Sequence, residues 1–310
     1  MIDKDSKIYV AGHNGMVGSS ILRKLKVEGY NNLVFKSSIE LDLREQNQVR
    51  DFINDQKPEI IIDAAAIVGG ILANDTYPYK FLMDNMLIQN NLMDAAIKNK
   101  IQNFIFLGSS CIYPRDADQP LKEEYLLTGP LEKTNQWYAL AKISGVKLIE
   151  AARKVHGYNY VALMPTNLYG PNDNFDLKTS HVLPALIRKF HDAKTQDKNV
   201  TIWGSGKPKR EFLHVDDLAD AIYFFINNKA DEYLYNIGSG EEVTIKELGN
   251  IIKEIIEFNG DILFDEKYPD GTPRKLLDSK KIKNFGWQPN INLRNGIKTV
   301  YSDFIKEYNE

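Results

Sequence analysis

KIYVAGHNGMVGS, residues 7–19, is a short apolar run that breaks into a glycine triplet and passes at once into a helical pattern. Residues 7–11 read as a strand and residues 16–28 as a helix. Gly12, Gly15 and Gly18 stand in a G-x-x-G-x-x-G spacing, with His13, Asn14, Met16 and Val17 between and beside them. Glycines there allow a tight turn, close approach of a pyrophosphate to the backbone, and close packing of helix on strand. The helix N-terminus adds unpaired N–H groups and a positive dipole end. A glycine triplet alone also serves as a plain turn. Its position between strand and helix is what points to a dinucleotide.

The pattern continues outward from this unit. Further strand-like runs lie at 32–35, 60–66, 103–108 and 160–164, with helical stretches near 46–56, 79–99 and 134–156. Strands that alternate with helices imply βαβ units and a parallel sheet covered on both faces. The fold class expected is α/β, a Rossmann-like doubly wound parallel sheet with a smaller C-terminal α/β substrate-binding region. After about Tyr169 the pattern turns irregular. A helix is expected over 181–195, a strand over 200–203, a helix over 216–227 with Asp216 as its N-cap, a strand over 235–238 and a helix over 244–258. The division expected is 1–168 for the dinucleotide domain, with elements near 209–240 returning to it, and 169–310 for the substrate region.

The chain has 310 residues, 43% hydrophobic and 26% charged, with a formal net charge of −3. Nothing in that balance favours nucleic acid or an anionic membrane as partner. Its single cysteine, Cys111, excludes an intramolecular disulfide and fits a reducing compartment. The opening MIDKDSKIYV has no signal-peptide core, so a cytoplasmic location is expected. The five histidines show no metal-ligand spacing with Cys111, and no metal is expected.

Cofactor choice is read at the end of the second strand, Phe35-Lys36-Ser37-Ser38. An acidic residue there would bind the 2′-hydroxyl of NAD. Lys36 and two hydroxyls suit a 2′-phosphate instead, so NADP(H) is expected, with Asp42 at the adenine. Tyr138 and Lys142 form Y-x-x-x-K in a helical pattern, which puts both on one face. An ammonium beside a phenol favours the phenolate and lowers the tyrosine pKa. The fourth strand ends in Leu107-Gly108-Ser109-Ser110, where a serine can hold a carbonyl oxygen for the tyrosine. Cys111 sits two residues beyond Ser109, and His181 follows the irregular segment 172–180. Alone, each is more often structural than reactive.

Together these stretches resemble the GDP-L-fucose synthase family of extended short-chain dehydrogenase/reductases, over essentially the whole chain. The resemblance is carried by AGHNGMVGS (11–19), AAAIVGGILANDTYP (64–78), FLGSSCIYP (106–114), YALAKISG (138–145), MPTNLYGPNDNF (164–175), SHVLPAL (180–186), WGSGKPKREFLHVDD (203–217) and PDGTPRKLLD (269–278). It implies an NADPH-dependent 3,5-epimerase/4-reductase that converts GDP-4-keto-6-deoxy-D-mannose to GDP-L-fucose. By that resemblance Cys111 is the base and His181 the acid of the inversions, and Ser109, Tyr138 and Lys142 handle the carbonyl. Pro165, Thr166, Asn167 and Leu168 would hold the nicotinamide end, with His181 bordering it. Lys189, Trp203, Arg210, Asp270 and Lys275 would meet the GDP-sugar. A homodimer through helices flanking the sheet is also implied. The chain departs from the family where Asn14, Ser38 and Lys189 stand in place of basic residues, arginine at positions 14 and 189. Two other readings remain at this point: an epimerase/reductase or 4-reductase for another GDP-4-keto-6-deoxy sugar such as a heptose, and a non-catalytic dinucleotide-binding regulator.

Overall fold

A computed structural model of the chain describes residues 2–177, 179–268 and 270–308. Its first half is built from β1 (Ile8–Ala11), α1 (Met16–Val27), β2 (Leu33–Val34), α2 (Gln46–Gln56), β3 (Ile60–Asp63), α3 (Ile71–Thr76), α4 (Pro78–Lys98), β4 (Asn103–Leu107), α5 (Gln136–His156) and β5 (Asn159–Pro165). The second half contributes β6 (Asn167–Tyr169), α6 (Val182–Gln196), β7 (Val200–Trp203), β8 (Lys209–His214), α7 (Val215–Asn227), β9 (Leu234–Ile237), β10 (Glu242–Thr244) and α8 (Ile245–Ile256). It ends in β11 (Ile262–Asp265), β12 (Arg274–Lys275), α9 (Lys280–Phe285) and α10 (Leu293–Tyr308).

The main sheet has six parallel strands in the order β2-β1-β3-β4-β5-β9. The chain runs outward from β1 to β2, then crosses to β3 on the other side. That reversal leaves a crevice at the carboxyl ends of β1 and β3, where ligands bind in such sheets. Strand alternation sorts the core into two layers. Ile8 and Val10 pack with Ile21, Leu25, Leu218 and Ile222 of α1 and α7. Tyr9 and Ala11 face Val49, Leu92, Val146 and Ile149 of α2, α4 and α5. Each such side chain, fully buried, contributes about 1.5–3 kcal/mol of transfer free energy.

A third core joins α6, α8 and α10 to β7 and β8. Buried carboxylates stitch this layer to the sheet. Asp217 accepts the backbone N–H groups of Asn290 and Ile291, each at 3.0 Å. Glu211 accepts those of Leu277 at 3.0 Å and Gly240 at 2.7 Å. β9 returns to the main sheet beside β5, while β6, β8, β10 and β12 form a separate small sheet.

Three local expectations are corrected. The third strand stops at Asp63; the Ala64 N–H bond to the Ala11 carbonyl is the last rung of its pairing with β1. The helix expected at 216 starts at Val215, and His214 is its N-cap, its Nδ1 accepting from Asp216 N–H at 3.2 Å. The Asp216 carboxylate goes instead to Ser20 and Arg23 on α1. The stretch 79–99 is preceded by the separate short helix α3.

α5 lies close on β4 because Gly145 has no side chain. A Cβ there would fall 2.4 Å from Phe106 Cζ and 3.1 Å from Gln89 Cδ. Gly145→Val is expected to cost about 1–3 kcal/mol by overpacking, well beyond the few tenths gained in helix propensity. Urea unfolding checks this, and an unchanged midpoint would show that the α5–β4 contact is loose.

Candidate active site

The carboxyl ends of β1, β3, β4 and β5 are in register, so their following loops meet on one edge. On β1 this edge begins with Gly12 at φ +78°, a conformation that favours glycine. A Cβ at Gly12 would lie 2.7 Å from the Ala64 carbonyl oxygen. Gly18 is closer still, with its Cβ position 2.2 Å from the Gly12 carbonyl oxygen. Gly15 differs: a Cβ would meet only the Gly12 carbonyl, at 3.5 Å, and would otherwise fill the open space above the loop. Gly15 is also the N-cap of α1, which has no side-chain cap and no acidic residue in its first turn. Free N–H groups, a positive dipole end and a cradle that one methyl group would fill are what a pyrophosphate requires. The residues present therefore fit a dinucleotide.

Around this loop, the His13 ring packs on Phe35 at 4.7 Å between centroids, and Asn14 is exposed. Met16 and Val17 are half-buried in the first turn of α1. Lys36 is exposed, as expected, but it is not a free cation. Its Nζ lies 3.0 Å from Glu40 Oε1, and Glu40 also accepts from Ser37 N–H and Ser37 Oγ. These donors hold the Glu40 carboxyl down at about 2. Asp42 is bound by Arg44, which also reaches Asp84.

On the next strands, β4 delivers Leu107, Gly108, Ser109 and Ser110 and a 3₁₀ turn over Ser110–Ile112. Ser109 caps that turn, its Oγ accepting from Cys111 N–H at 3.3 Å. Lys142 is buried, and its ammonium donates to the Leu107 carbonyl at 2.8 Å. The same Nζ is 5.8 Å from the Tyr138 ring centre and 4.7 Å from that of Phe106. β5 ends in Pro165. Beyond it Thr166 N–H bonds Ile237 O, and the Asn167 amide donates to Glu211 O at 2.8 Å. Leu168 is paired with Leu213 in β6–β8.

Electrostatics here are governed by burial. Tyr138 is pushed well above the ordinary phenol value, first by burial and then by Cys111 and Asp63. The lowering expected from Lys142 is thus overruled in the free protein. Burial also raises the Cys111 thiol, while Lys275, Ser109 and Lys142 pull it back down. His181, solvent-accessible at the N-cap of α6, is lowered by desolvation and by Lys275. One ammonium, Lys275, thus acts on both the thiol and the imidazole.

Lys275 belongs to β12, where it is the register partner of Arg210 on β8. Arg210 donates to the Thr272 and Lys209 carbonyls and lies near Asp270. Asp270 itself is spent on the turn after β7, accepting from Ser205 N–H and Oγ. Trp203 is exposed and stacked on Tyr268 at 4.4 Å and 13°. Lys189 Nζ stands 4.7 Å from the Trp203 ring. Sequence reasoning missed Tyr268, whose only signal was an aromatic in a polar turn. It also missed Asp63, a carboxylate ending the apolar run IIID.

Residues 8–238 match the model of the NAD dependent epimerase/dehydratase family. The chain is 52% identical to GDP-L-fucose synthase 1 of Arabidopsis thaliana over 307 residues, covering 99% of this chain and 95% of that one. It is 44% identical to GDP-L-fucose synthase of Escherichia coli K12, covering 97% of both. Among solved structures it is similar to an NADP-bound GDP-mannoheptose C4 reductase from Campylobacter jejuni, with a TM-score of 0.90 and 37% identity over 98% of this chain and 100% of that one. The chain belongs to the NAD dependent epimerase/dehydratase family and, within it, to the GDP-L-fucose synthases.

Proposed function

We infer that this protein is an NADPH-dependent 3,5-epimerase/4-reductase that converts GDP-4-keto-6-deoxy-D-mannose to GDP-L-fucose. The observation that carries the assignment of roles is the pairing of two proton-handling sets on one sheet edge. Ser109, Tyr138 and Lys142 form one; Cys111 and His181, under the shared charge of Lys275, form the other. A pure reductase needs only the first.

The 4-keto group of the sugar acidifies the protons on C3 and C5. Inverting these carbons takes a base and an acid on opposite faces. Cys111 and His181 come from different loops and serve as that base and acid. Lys275 offsets the burial cost of the thiolate, which is the reactive form. For the second stage, bound NADPH would supply a hydride for C4. Tyr138, kept protonated by burial, delivers the proton to the C4 oxygen while Ser109 holds that oxygen. Lys142, anchored on Leu107, stabilises the phenolate that results. The glycine loop, the turn after β2 and the end of β5 hold the dinucleotide. Lys36 meets its 2′-phosphate once released from Glu40. Trp203 with Tyr268, Lys189, Arg210 and Lys275 take the GDP-sugar, and Asp270 shapes the turn that presents Trp203. The nucleotide half is residues 1–168 with the returning elements near 209–240, and the substrate half is 169–310.

NMR of the product formed with NADPH tests the assignment. Inversion at C3 and C5 with reduction at C4 is expected, and reduction alone favours a heptose-type 4-reductase. Tyr138→Phe should bind NADPH normally and lose reduction by ~10²–10⁴-fold, the usual worth of a general acid. Full activity in that variant would remove Tyr138 from the mechanism.

Proton exchange with D₂O in the absence of NADPH isolates the epimerase stage. Cys111→Ser should abolish exchange at C3 and C5. Lys275→Met removes the cation that lowers the thiol pKa, so the acid limb of exchange should move to higher pH. Wild-type exchange in Cys111→Ser, or an unmoved limb in Lys275→Met, places the base elsewhere.

We also propose a homodimer and a cytoplasmic location. Tyr79 and Met83 on α4 and Trp137, Leu140 and Leu148 on α5 are exposed large apolar side chains on two neighbouring helices, and they support a partner surface there. A reactive thiol needs a reducing compartment. Light scattering should give twice the chain mass, and Leu140→Glu should halve it. A monomeric wild type overturns the dimer.

A further inference from the structure

Asp63 is wholly buried at the end of β3. Its Oδ1 accepts from Ala65 N–H at 3.2 Å, while its Oδ2 has no partner among the described residues. An unpaired buried carboxylate oxygen is costly and calls for a reason. Its strand register supplies one. Asp63 lies beside Phe106 of β4, and the next residue, Leu107, is the one whose carbonyl holds the Lys142 ammonium. That ammonium is also 4.7 Å from the Phe106 ring centre. Asp63, Lys142 and Tyr138 therefore sit together under the Ser109 loop, and the mechanism above gives Asp63 no part.

We propose that Asp63 is the internal counter-ion of the Tyr138–Lys142 pair and sets the pH at which that pair gives up its first proton. The proposal rests on the reading of Tyr138 and Lys142 as the proton-transfer set at C4. The charged and titratable groups facing Asp63 are Lys142 and Tyr138 from α5 and Tyr9 from β1. Cys111 acts on the α5 pair from the other side. The electrostatics agree in sign: Asp63 raises both Lys142 and Tyr138 against the lowering of Lys142 by burial, and Lys142 in turn restrains the rise of Asp63, which burial pushes up to about 6. The Lys142 ammonium thus favours the ionised carboxylate. Its negative charge keeps the pair protonated, whichever member loses the proton first. Asp63 acts through the pair and is a positioning residue.

Two measurements decide it. The first uses the protein without cofactor or sugar. Thermal unfolding at pH 8 of wild type, Asp63→Asn, Lys142→Met and the double variant forms a cycle. Asparagine can still accept from Ala65 N–H. Asp63→Asn should raise Tm by about 2–4 °C more in the Lys142→Met background than in the wild type, because Lys142 no longer offsets the buried charge. The excess should shrink at pH 5, where the carboxyl is protonated. Additive Tm shifts at pH 8 overturn the proposal.

The second follows oxidation of GDP-L-fucose by NADP⁺. This begins at C4, before any inversion: the C4 hydroxyl gives its proton to the Tyr138 phenolate while the hydrogen on C4 leaves as hydride to NADP⁺, and a C4 ketone results. The acid limb of the initial rate reports the first proton loss of the pair. It should move to lower pH by about one unit in Asp63→Asn and Asp63→Leu, and stay near wild type in Asp63→Glu. A limb unmoved in Asp63→Asn, with the rate merely reduced, means a structural role only and overturns the proposal. If the wild type forms no NADPH from GDP-L-fucose, the functional reading fails, and the Tm cycle still decides the counter-ion.

Discussion

The hydrogen bond from the Lys142 ammonium to the Leu107 carbonyl, 2.8 Å long and out of water, is the contact on which the site depends. It fixes α5 against the end of β4. Tyr138 is one turn before Lys142 on that helix, and Ser109 and Cys111 follow Leu107 on that strand. A single charge-assisted bond thus relates Tyr138 on the helix to Ser109 and Cys111 on the loop. Gly145 makes the approach possible by leaving room for Phe106 and Gln89. Burying an ammonium carries a large desolvation cost. Here the carbonyl, the faces of Phe106 and Tyr138 and the charge of Asp63 offset it.

A second constraint is economy of charge near the thiol. Lys275 sits opposite Arg210 in a short parallel pairing, and its field reaches both Cys111 and His181. It favours the thiolate and the neutral imidazole together. That agrees with the proposed role of Cys111 as base. The proposed role of His181 as acid requires that it gain a proton before it gives one.

Much of this was legible because the signals are local. The glycine triplet, the Y-x-x-x-K spacing and the strand–helix alternation each depend on neighbours within a few residues, and the structure places all of them at one sheet edge. The fold class and the sheet were accordingly readable. What escaped depends on partners far away or on competing local caps. The Lys36–Glu40 ion pair went unread because nothing in the strand-end reading marked Glu40, four residues on, as folding back. Asp216 read as a helix cap because the type is right, yet His214 takes that place and Asp216 reaches α1, 196 residues away from Ser20. Tyr138 read as acidified because the spacing shows Lys142 but not the burial that outweighs it. Tyr268 could not be matched to Trp203 across 65 residues of turn-rich chain.

The return of β9 to the sheet has a consequence for how such a molecule can change. β5 would be an open, hydrogen-bonding edge without β9, and α1 would show an apolar face without α7, so both come from beyond residue 168. The carboxylates of Glu211 and Asp217 then tie the small sheet and the last helices to these same elements. The part beyond residue 168, proposed above to take the sugar, is therefore not a detachable cassette. It cannot be exchanged for another by recombination at a single crossover without uncovering the dinucleotide half. New sugar specificities on this scaffold have to arise in place, by replacement of side chains and loops such as 203–206 and 270–275, while the strands that carry them keep closing the sheet.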